Sequence, residues 1–467
     1  MGLILLMAVS HYSYESNFPA TGAELFAYHE RSTALQRLTP PWQPVKILNR
    51  SGGIENGATV DAEIKLGPIA TRWKLIHQDY SQGQQFADFQ IFGPLRYWHH
   101  LHSFCSLGSR TGNLKETIQF EVPFGRLGRW LTEKKIKRTL NRLFTYRHTV
   151  TENDLNHLIN FRDQSRRKVV ITGGNGLIGS DLAIFLAVQG HDVLILSRSG
   201  KSLVFGIRAA RWDPKKRYID SAATANADCW IHLAGENIAK RHWTQSRIRE
   251  IRDSRVETTS FLADYLAKLE DPPECFISAS GTGFYGSRNE VVDESTSKGK
   301  GILSDICHAW EDASNVLESA GIRRVFVRTG VVLSLNGGAL AKLLPFYRVG
   351  LGGRIGSGTQ YWSWIAMDDL LRVFDTAMQD SRLSGPINAT APIPVSNREF
   401  SKTLGAILNR PAILPAPAWV LKSLLGRMAD EALLSDQNVV PDKLTRMGFS
   451  FNFPELDLAL SHSLGVY

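Results

Sequence analysis

Residues 167–179 read RKVVITGGNGLIG, and the three-residue spacing of Gly173, Gly176 and Gly179 suits a diphosphate. Each glycine has its own mechanical task. The first permits a tight turn out of a strand, the second lets a pyrophosphate approach the backbone, and the third lets a helix pack closely on that strand. Gly174, Asn175, Leu177 and Ile178 complete the turn, and the start of a following helix offers N–H groups and a positive dipole end to the phosphates. About 20 positions beyond such a turn, a free ribose 2′-hydroxyl calls for an acidic residue. This chain has Ser197-Arg198-Ser199 there. A guanidinium grips a phosphate through two parallel hydrogen bonds where a carboxylate would repel it, so NADP is the expected cofactor rather than NAD.

That chemistry requires a scaffold. Lys168–Ile171 reads as a buried strand, Ser180–Gln189 as the helix after it, and His191–Leu196 as the next strand. Strands and helices continue to alternate, which predicts a doubly wound parallel α/β sheet of Rossmann type with ligands beyond its carboxyl ends. Before residue 160 the pattern changes. Runs near 11–18, 43–50, 58–66, 69–79, 84–92, 95–105 and 114–122 read as strands, with short helical stretches near 21–37. Arg126–His148 carries eight Lys or Arg and only Glu133 as an acid, with Leu127, Trp130, Leu131, Ile136, Leu140, Leu143 and Phe144 at helical spacing. It predicts a long amphipathic helix whose basic face is solvated or meets an anionic ligand, membrane surface or partner. The polar stretch TENDLNHLINFRDQSRR extends that helix and then becomes a linker.

At 467 residues the chain exceeds one ordinary core. The expected division is 1–150, a linker at 151–166, a nucleotide domain at 167–390 and a C-terminal module at 391–467. An apolar share of 43%, a charged share of 21% and a net charge of +9 describe a soluble globular chain. The four cysteines contain no C-x-x-C pair, which fits a reducing compartment. MGLILLMAVS lacks a basic leader and reads as a start-site extension or part of the first strand, and no run approaches the ~20 apolar residues of a bilayer span. A cytoplasmic protein with a small-molecule substrate is expected. Aromatic and basic residues do not interleave as in a nucleic-acid reader, so no nucleic-acid partner is expected, and the oligomeric state stays open. His100 and His102 share a strand face, but no carboxylate or third ligand falls at useful spacing. They read as structural histidines, and no metal is expected.

DCWIHLAGE at 228–236, CFISASGTGFYG at 275–286, HLAGENIAKRHWTQSRIREIRDSR, RTGVVLS and GSGTQYWSWIAMDDL follow the glycine turn in order. Together they resemble the extended branch of the short-chain dehydrogenase/reductase superfamily. Within it they look like an epimerase-like, NADP-binding subgroup often labelled cell-division inhibitors. The stretch from Pro394 resembles that subgroup's small C-terminal module, so the likeness covers residues 167–467. Residues 10–150 resemble the START-like, helix-grip family of α+β domains (polyketide-cyclase-type proteins), on PLRYWHHLHSF and a basic helix ending FTYRH. Such domains cup a hydrophobic ligand between sheet and helix, and Trp73, Phe86, Phe89, Phe92, Trp98 and Phe104 are candidate cavity residues or core.

The resemblance implies that Leu233, Ala234 and Gly235 run beside the cofactor's central ribose and that Ser278, Ala279 and Ser280 lie beneath the nicotinamide. It also exposes a departure. Reductases of this superfamily use a tyrosine and a lysine four residues later, the ammonium lowering the phenol's pKa for proton exchange. Aligned on Trp310-Glu311, the tyrosine slot holds Ile306 and the lysine slot Trp310, and no tyrosine lies between Tyr285 and Tyr347. Thr282, Ser280 and Tyr285 are the replacement candidates. Glu294, Cys307, His308 and Glu311 are ionisable neighbours in sequence. Trp362 and Trp364, in QYWSW, are candidates for a substrate platform or for the core, and Asp368-Asp369 for a helix cap. Two readings follow: an NADP-dependent oxidoreductase or epimerase acting on a small carbonyl or hydroxyl compound, or a non-catalytic NADP-binding scaffold or redox sensor with a lipid-like ligand in its N-terminal domain.

Overall fold

A computed structural model describes residues 9–43, 45–66 and 69–467; the apolar opening, residues 1–8, lies outside them. The chain forms two compact units, Met1–Asp163 with Ala187–Gly190 and Gly465–Tyr467, and Gln164–Leu186 with His191–Leu464.

In the first unit seven strands form one antiparallel sheet: β1 (Ser10–Phe18), β2 (Val45–Ser51), β3 (Thr59–Leu66), β4 (Ile69–Ser81), β5 (Gln85–Phe92), β6 (Tyr97–Ser106) and β7 (Gly112–Glu121). Its order is β1-β7-β6-β5-β4-β3-β2, so the first strand pairs with the last. Strict alternation of buried and half-buried residues along β6 gives the sheet one covered face. Helix α1 (Gly22–Glu30) starts with a reciprocal cap in which the Thr21 hydroxyl accepts from Glu24 N and the Glu24 carboxylate from Thr21 N.

The long helix α2 (Gly125–Asn160) absorbs most of the expected linker. The reason is burial of Val150, Asp154 and Leu155. Asp154 accepts two hydrogen bonds from the Arg37 guanidinium at 2.8 Å and one from Tyr28 Oη at 2.7 Å. The expected amphipathic stripe is covered only in part. Leu140 and Phe144 are buried, whereas Leu127, Trp130 and Leu131 are exposed. Of the candidate cavity aromatics, Phe86, Trp98 and Phe104 are buried, Phe89 stacks on His99 at 4.2 Å, and Phe92 is 60% exposed. His100 and His102 do have carboxylate neighbours, Asp88 from β5 and Glu116 from β7. The premise against them looked along the strand, and the partners come from across it. Burial would lower the His102 pKa, but Glu116 and Asp88 outweigh it and raise it to about 9; burial pulls His29 down to about 4.

The second unit holds an eight-stranded sheet: β8 (Lys168–Thr172), β9 (Asp192–Ser197), β10 (Arg208–Asp213), β11 (Tyr218–Ile219), β12 (Cys229–His232), β13 (Cys275–Gly281), β14 (Arg323–Thr329) and β15 (Gly385–Ala389), in the order β11-β10-β9-β8-β12-β13-β14-β15. All neighbours are parallel except the edge pair β10–β11. The strand order therefore reverses between β8 and β12, which opens the crevice where doubly wound sheets bind ligands. Val170, Leu194, Leu196, Trp230 and Phe276 fill one core, and each large apolar side chain buried there contributes ~1.5–3 kcal/mol. Asp368 and Asp369 sit in the first turn of a helix, Met367–Gln379, without capping it by a side-chain bond. Asp369 instead accepts the N–H groups of Asn452 and Phe453, and Asp368 lies 3.1 Å from His462. Among the described residues no helix is long and apolar enough to cross a membrane.

Candidate functional site

The site forms where β8 leaves the sheet. Gly173 takes φ +73°, and a Cβ there would lie 2.7 Å from the Leu233 carbonyl carbon and 2.8 Å from Ala234 N. Any side chain would push the turn off the neighbouring strand exit. A Cβ at Gly179 would lie 2.3 Å from Gly173 O, so the third glycine lets the helix close on the turn. Helix α3 (Leu177–Gln189) starts three residues earlier than its apolar pattern suggested. Leu177, Ile178 and Gly179 thus form its first turn, whose N–H groups have no partner within a helix. Asn175 braces the wall of the crevice. Its Nδ2 donates to Lys201 O at 3.0 Å and its Oδ1 accepts from Leu203 N at 2.8 Å. Ser197 Oγ donates to Lys201 O at 2.8 Å.

Arg198 is exposed at the end of β9 and makes no ion pair or hydrogen bond among the described residues. No carboxylate competes for its guanidinium. The positive side chain, the glycine cradle that a Cβ would fill and the first helical turn form a set of donors fitted to a phosphorylated dinucleotide. Across the sheet the register sets Leu196, Thr172, His232, Ser278 and Phe326 in one row. Leu233, Ala234 and Gly235 leave β12 just past that row, Leu233 N donating to Thr172 O at 3.0 Å. His232 has no exposed surface, and its Nδ1 lies 2.6 Å from Thr172 Oγ1. Burial, then Arg255, lowers its pKa to about 3. The histidine is neutral at physiological pH.

Two residues further along β13 a second row, Ser280, Arg328 and Asn388, crosses three strands. Helix α5 (Ile302–Asp312), which follows the long helix α4 (Gln245–Leu266), adds Glu311, and the turn after β13 adds Tyr285. Ser280 Oγ donates to Glu311 Oε1 at 2.7 Å. The Arg328 guanidinium grips both Glu311 oxygens at 2.8 and 2.7 Å and donates to Tyr285 Oη at 3.0 Å. Tyr285 Oη in turn donates to Asn388 Oδ1 at 2.8 Å. Burial, against the opposing pull of Arg328, raises the Tyr285 phenol further. A phenol 1% exposed and committed at both ends is part of the frame and is not poised to exchange protons.

Of the three replacement candidates, Ser280 and Tyr285 are therefore engaged structurally. Thr282 makes no hydrogen bond among the described residues. Ser278 and Ala279 lie on β13 as expected. The slots on α5 are closed: Ile306 packs beside Trp243, Ile251 and Met428, and Trp310 is buried beneath the Arg255 guanidinium, 5.0 Å from its ring centre. Cys307 is buried against Gly281, and burial, then Glu311, raises its thiol to about 11. His308 is half exposed beside Asp312. Trp362 and Trp364 lie in the core. They are 3% and 1% exposed, pack with Leu340, Tyr347, Phe400 and Leu404, and donate their indole N–H groups to Leu433 O and Ile393 O. Arg328, Asn388, Arg255 and His232 escaped the reading of the sequence. A lone arginine inside VFVRT and a histidine inside CWIH were the available signals, since a charged or polar group in a buried strand demands a partner.

Comparison with known proteins follows the same division. Residues 169–389 match the model of the NAD dependent epimerase/dehydratase family, and residues 416–463 match a domain of unknown function, DUF1731. An epimerase family protein of Mycobacterium bovis, Mb2239, is 38% identical over 296 residues, which are 63% of this chain and 97% of the relative. A crystal structure of the nucleoside-diphosphate sugar epimerase from Corynebacterium glutamicum is 31% identical, with a TM-score of 0.77 over 97% of this chain and 90% of that one. The human epimerase family protein SDR39U1 (isoform 2), solved with NADPH, is 34% identical, with a TM-score of 0.59 over 64% of this chain and all of its own.

Two outcomes follow for the site's frame. Glu311→Ala strands the buried Arg328 charge and should cost about 3–5 kcal/mol, read as a lower melting temperature. The pair Glu311→Leu with Arg328→Met should recover most of that loss; no recovery would show that the ion pair is not the cause. The His232 imidazole stays neutral in the folded chain down to about 3 but takes its proton near 6.5 when unfolded. The unfolded chain therefore binds more protons in that window. Stability should be full above pH 6.5 and fall by up to about 1.4 kcal/mol per pH unit below it. Melting curves of His232→Phe should be flatter over pH 4–6.5, and an unchanged slope would refute the assignment.

Proposed function

The chain belongs to the NAD-dependent epimerase/dehydratase family, and from that premise we propose that it binds NADP(H) and transfers hydride to or from a small carbonyl or hydroxyl compound without the usual tyrosine–lysine pair. The observation that carries the cofactor preference is Arg198, unengaged at the end of β9 beside the glycine turn. NADPH in the human relative's structure is in keeping with it. Gly173, Gly176 and the first turn of α3 would hold the diphosphate, Arg198 and Ser197 the 2′-phosphate, and Leu233–Gly235 with Ser278 and Ala279 the nicotinamide half. The bound coenzyme supplies or accepts the hydride.

The residues of this chain shape the rest. Thr282 is the hydroxyl in place to hydrogen-bond a substrate oxygen, and a proton drawn from solvent passes through it to that oxygen as the carbonyl is reduced. Arg255, held over Trp310 and donating to Glu236 O at 3.0 Å, adds positive charge beside the lysine slot that Trp310 fills. A second reading, a non-catalytic NADP(H)-binding scaffold or sensor, is favoured by Ile306 and Trp310 filling both proton-transfer slots. For residues 1–150 we keep the START-like assignment. It is supported by the antiparallel sheet and its long closing helix.

Arg198→Asp should weaken NADPH by about 10–100-fold in a fluorescence titration and leave NADH within a few-fold, the loss of a charge-assisted phosphate contact. Equal losses for the two coenzymes would refute the 2′-phosphate contact. Stopped-flow oxidation of NADPH against a panel of aldehydes and ketones decides between the readings. A reactive substrate whose turnover drops ~100-fold in Thr282→Val supports the enzyme. No oxidation with any member supports the scaffold.

A further inference from the structure

The N-terminal sheet gathers histidines and carboxylates on its covered face. His77 on β4 pairs with Asp88 on β5, Asp88 with His100 on β6, and Glu116 on β7 with His102. The two-residue period of β6 puts His100 and His102 on one face. Asp88, His100 and His102 each offer one ligand atom, all within 4.8 Å of one another. His100 Nδ1 lies 3.7 Å, and His102 Nε2 3.4 Å, from Asp88 Oδ2. Two ligand atoms on a tetrahedral ion with bonds of about 2.0–2.1 Å are separated by roughly 3.3–3.4 Å. The two histidine–aspartate separations lie within a few tenths of an ångström of that figure.

The surroundings have the form of an outer shell. Glu116 Oε2 accepts from His100 Nε2 at 2.8 Å, which leaves Nδ1 of that ring as the lone pair facing Asp88. The same oxygen lies 2.8 Å from His102 Nδ1, and His77 Nδ1 lies 2.8 Å from Asp88 Oδ1. A carboxylate behind each ligating imidazole is what fixes tautomer and ring orientation in metal sites. Phe86 stacks on His102 at 4.2 Å and Phe144 stands edge-on to His100 at 5.4 Å, so neither ring turns freely. His100, His102 and Glu116 are 3%, 7% and 2% exposed. Both nitrogens of His148 on α2 are buried without a hydrogen-bond partner among the described residues, and buried polar atoms are seldom left so.

We propose that Asp88, His100 and His102 bind a divalent first-row transition ion, with Glu116 and His77 as positioning residues. Two imidazoles and one carboxylate select such an ion over Mg2+ or Ca2+, which prefer all-oxygen ligands. Three protein ligands leave a coordination position for water or a ligand oxygen. The site lies wholly within the first unit and is independent of the dinucleotide reading.

The test uses the full-length protein, stripped with a chelator and titrated with Co2+ alone. Visible absorption bands should saturate at one ion per chain. His100→Ala and His102→Ala should abolish that saturation, and Glu116→Gln should weaken it ~10–100-fold. NADPH fluorescence should be unchanged in all three, which shows that the second unit is intact. Wild-type protein that takes up no Co2+, or alanine variants that take up as much as wild type, would overturn the site. If either alanine variant fails to fold, the near-isosteric Asp88→Asn decides: reduced affinity sustains the site and unaltered affinity refutes it.

Discussion

The second unit depends on one close approach, the turn after β8 lying against the backbone that leaves β12. A Cβ at Gly173 would sit 2.7 Å from a carbonyl carbon there. That contact joins the two halves of the sheet where their strand order reverses, and it also opens the crevice. The first helical turn, the Asn175 brace and the row from Leu196 to Ser278 all take their positions from it. A helix start pressed against a parallel sheet can present N–H groups to an anion only if nothing bulky stands between them, and glycine is the residue that permits this.

The frame behind the crevice follows a different logic. Ser280, Glu311, Arg328, Tyr285 and Asn388 form a closed chain of donors and acceptors in which each strong polar group meets a partner. Such a network rigidifies only when complete, because a buried charge without its partner costs more than the pair contributes. Here it lies beside α5, the helix that carries Ile306 and Trp310. The groups that look most reactive in the sequence are therefore the ones most firmly held. Thr282, a modest hydroxyl in the turn after β13, is left as the one uncommitted candidate among the three considered.

What could be read from the sequence was local. Period-two alternation located all seven strands of the first sheet, and glycine spacing located the phosphate turn, because both are properties of consecutive residues. The start of α3 was placed late because its first turn, Leu177–Gly179, doubles as part of the phosphate turn. For Trp362 and Trp364 the sequence left cleft wall and core open, since an aromatic cluster has the same composition in either; packing with Leu340 and Phe400 is what the fold adds. Arg328 and His232 showed their oddity, but their partners Glu311 and Thr172 lie 17 and 60 residues away.

The histidines of β6 illustrate the same limit with a different consequence. Judged along their own strand, His100 and His102 lack a carboxylate within ligand spacing, and the structural reading is the economical one. Antiparallel register adds Asp88, 12 residues before His100, and Glu116, 14 residues after His102. A sheet brings together residues whose separation in sequence is set by hairpin length, a quantity that no ligand-spacing rule for a single helix or loop contains. Two imidazoles between a buried Glu116 and a half-buried Asp88 then concentrate negative charge that a shared proton or cation would offset. Arg147, half-buried on α2 and donating through its Nε to Leu38 O, offsets part of that charge from the helix side. The balance of the remainder makes this face of the first unit an electrostatic site in its own right, whatever the second unit binds.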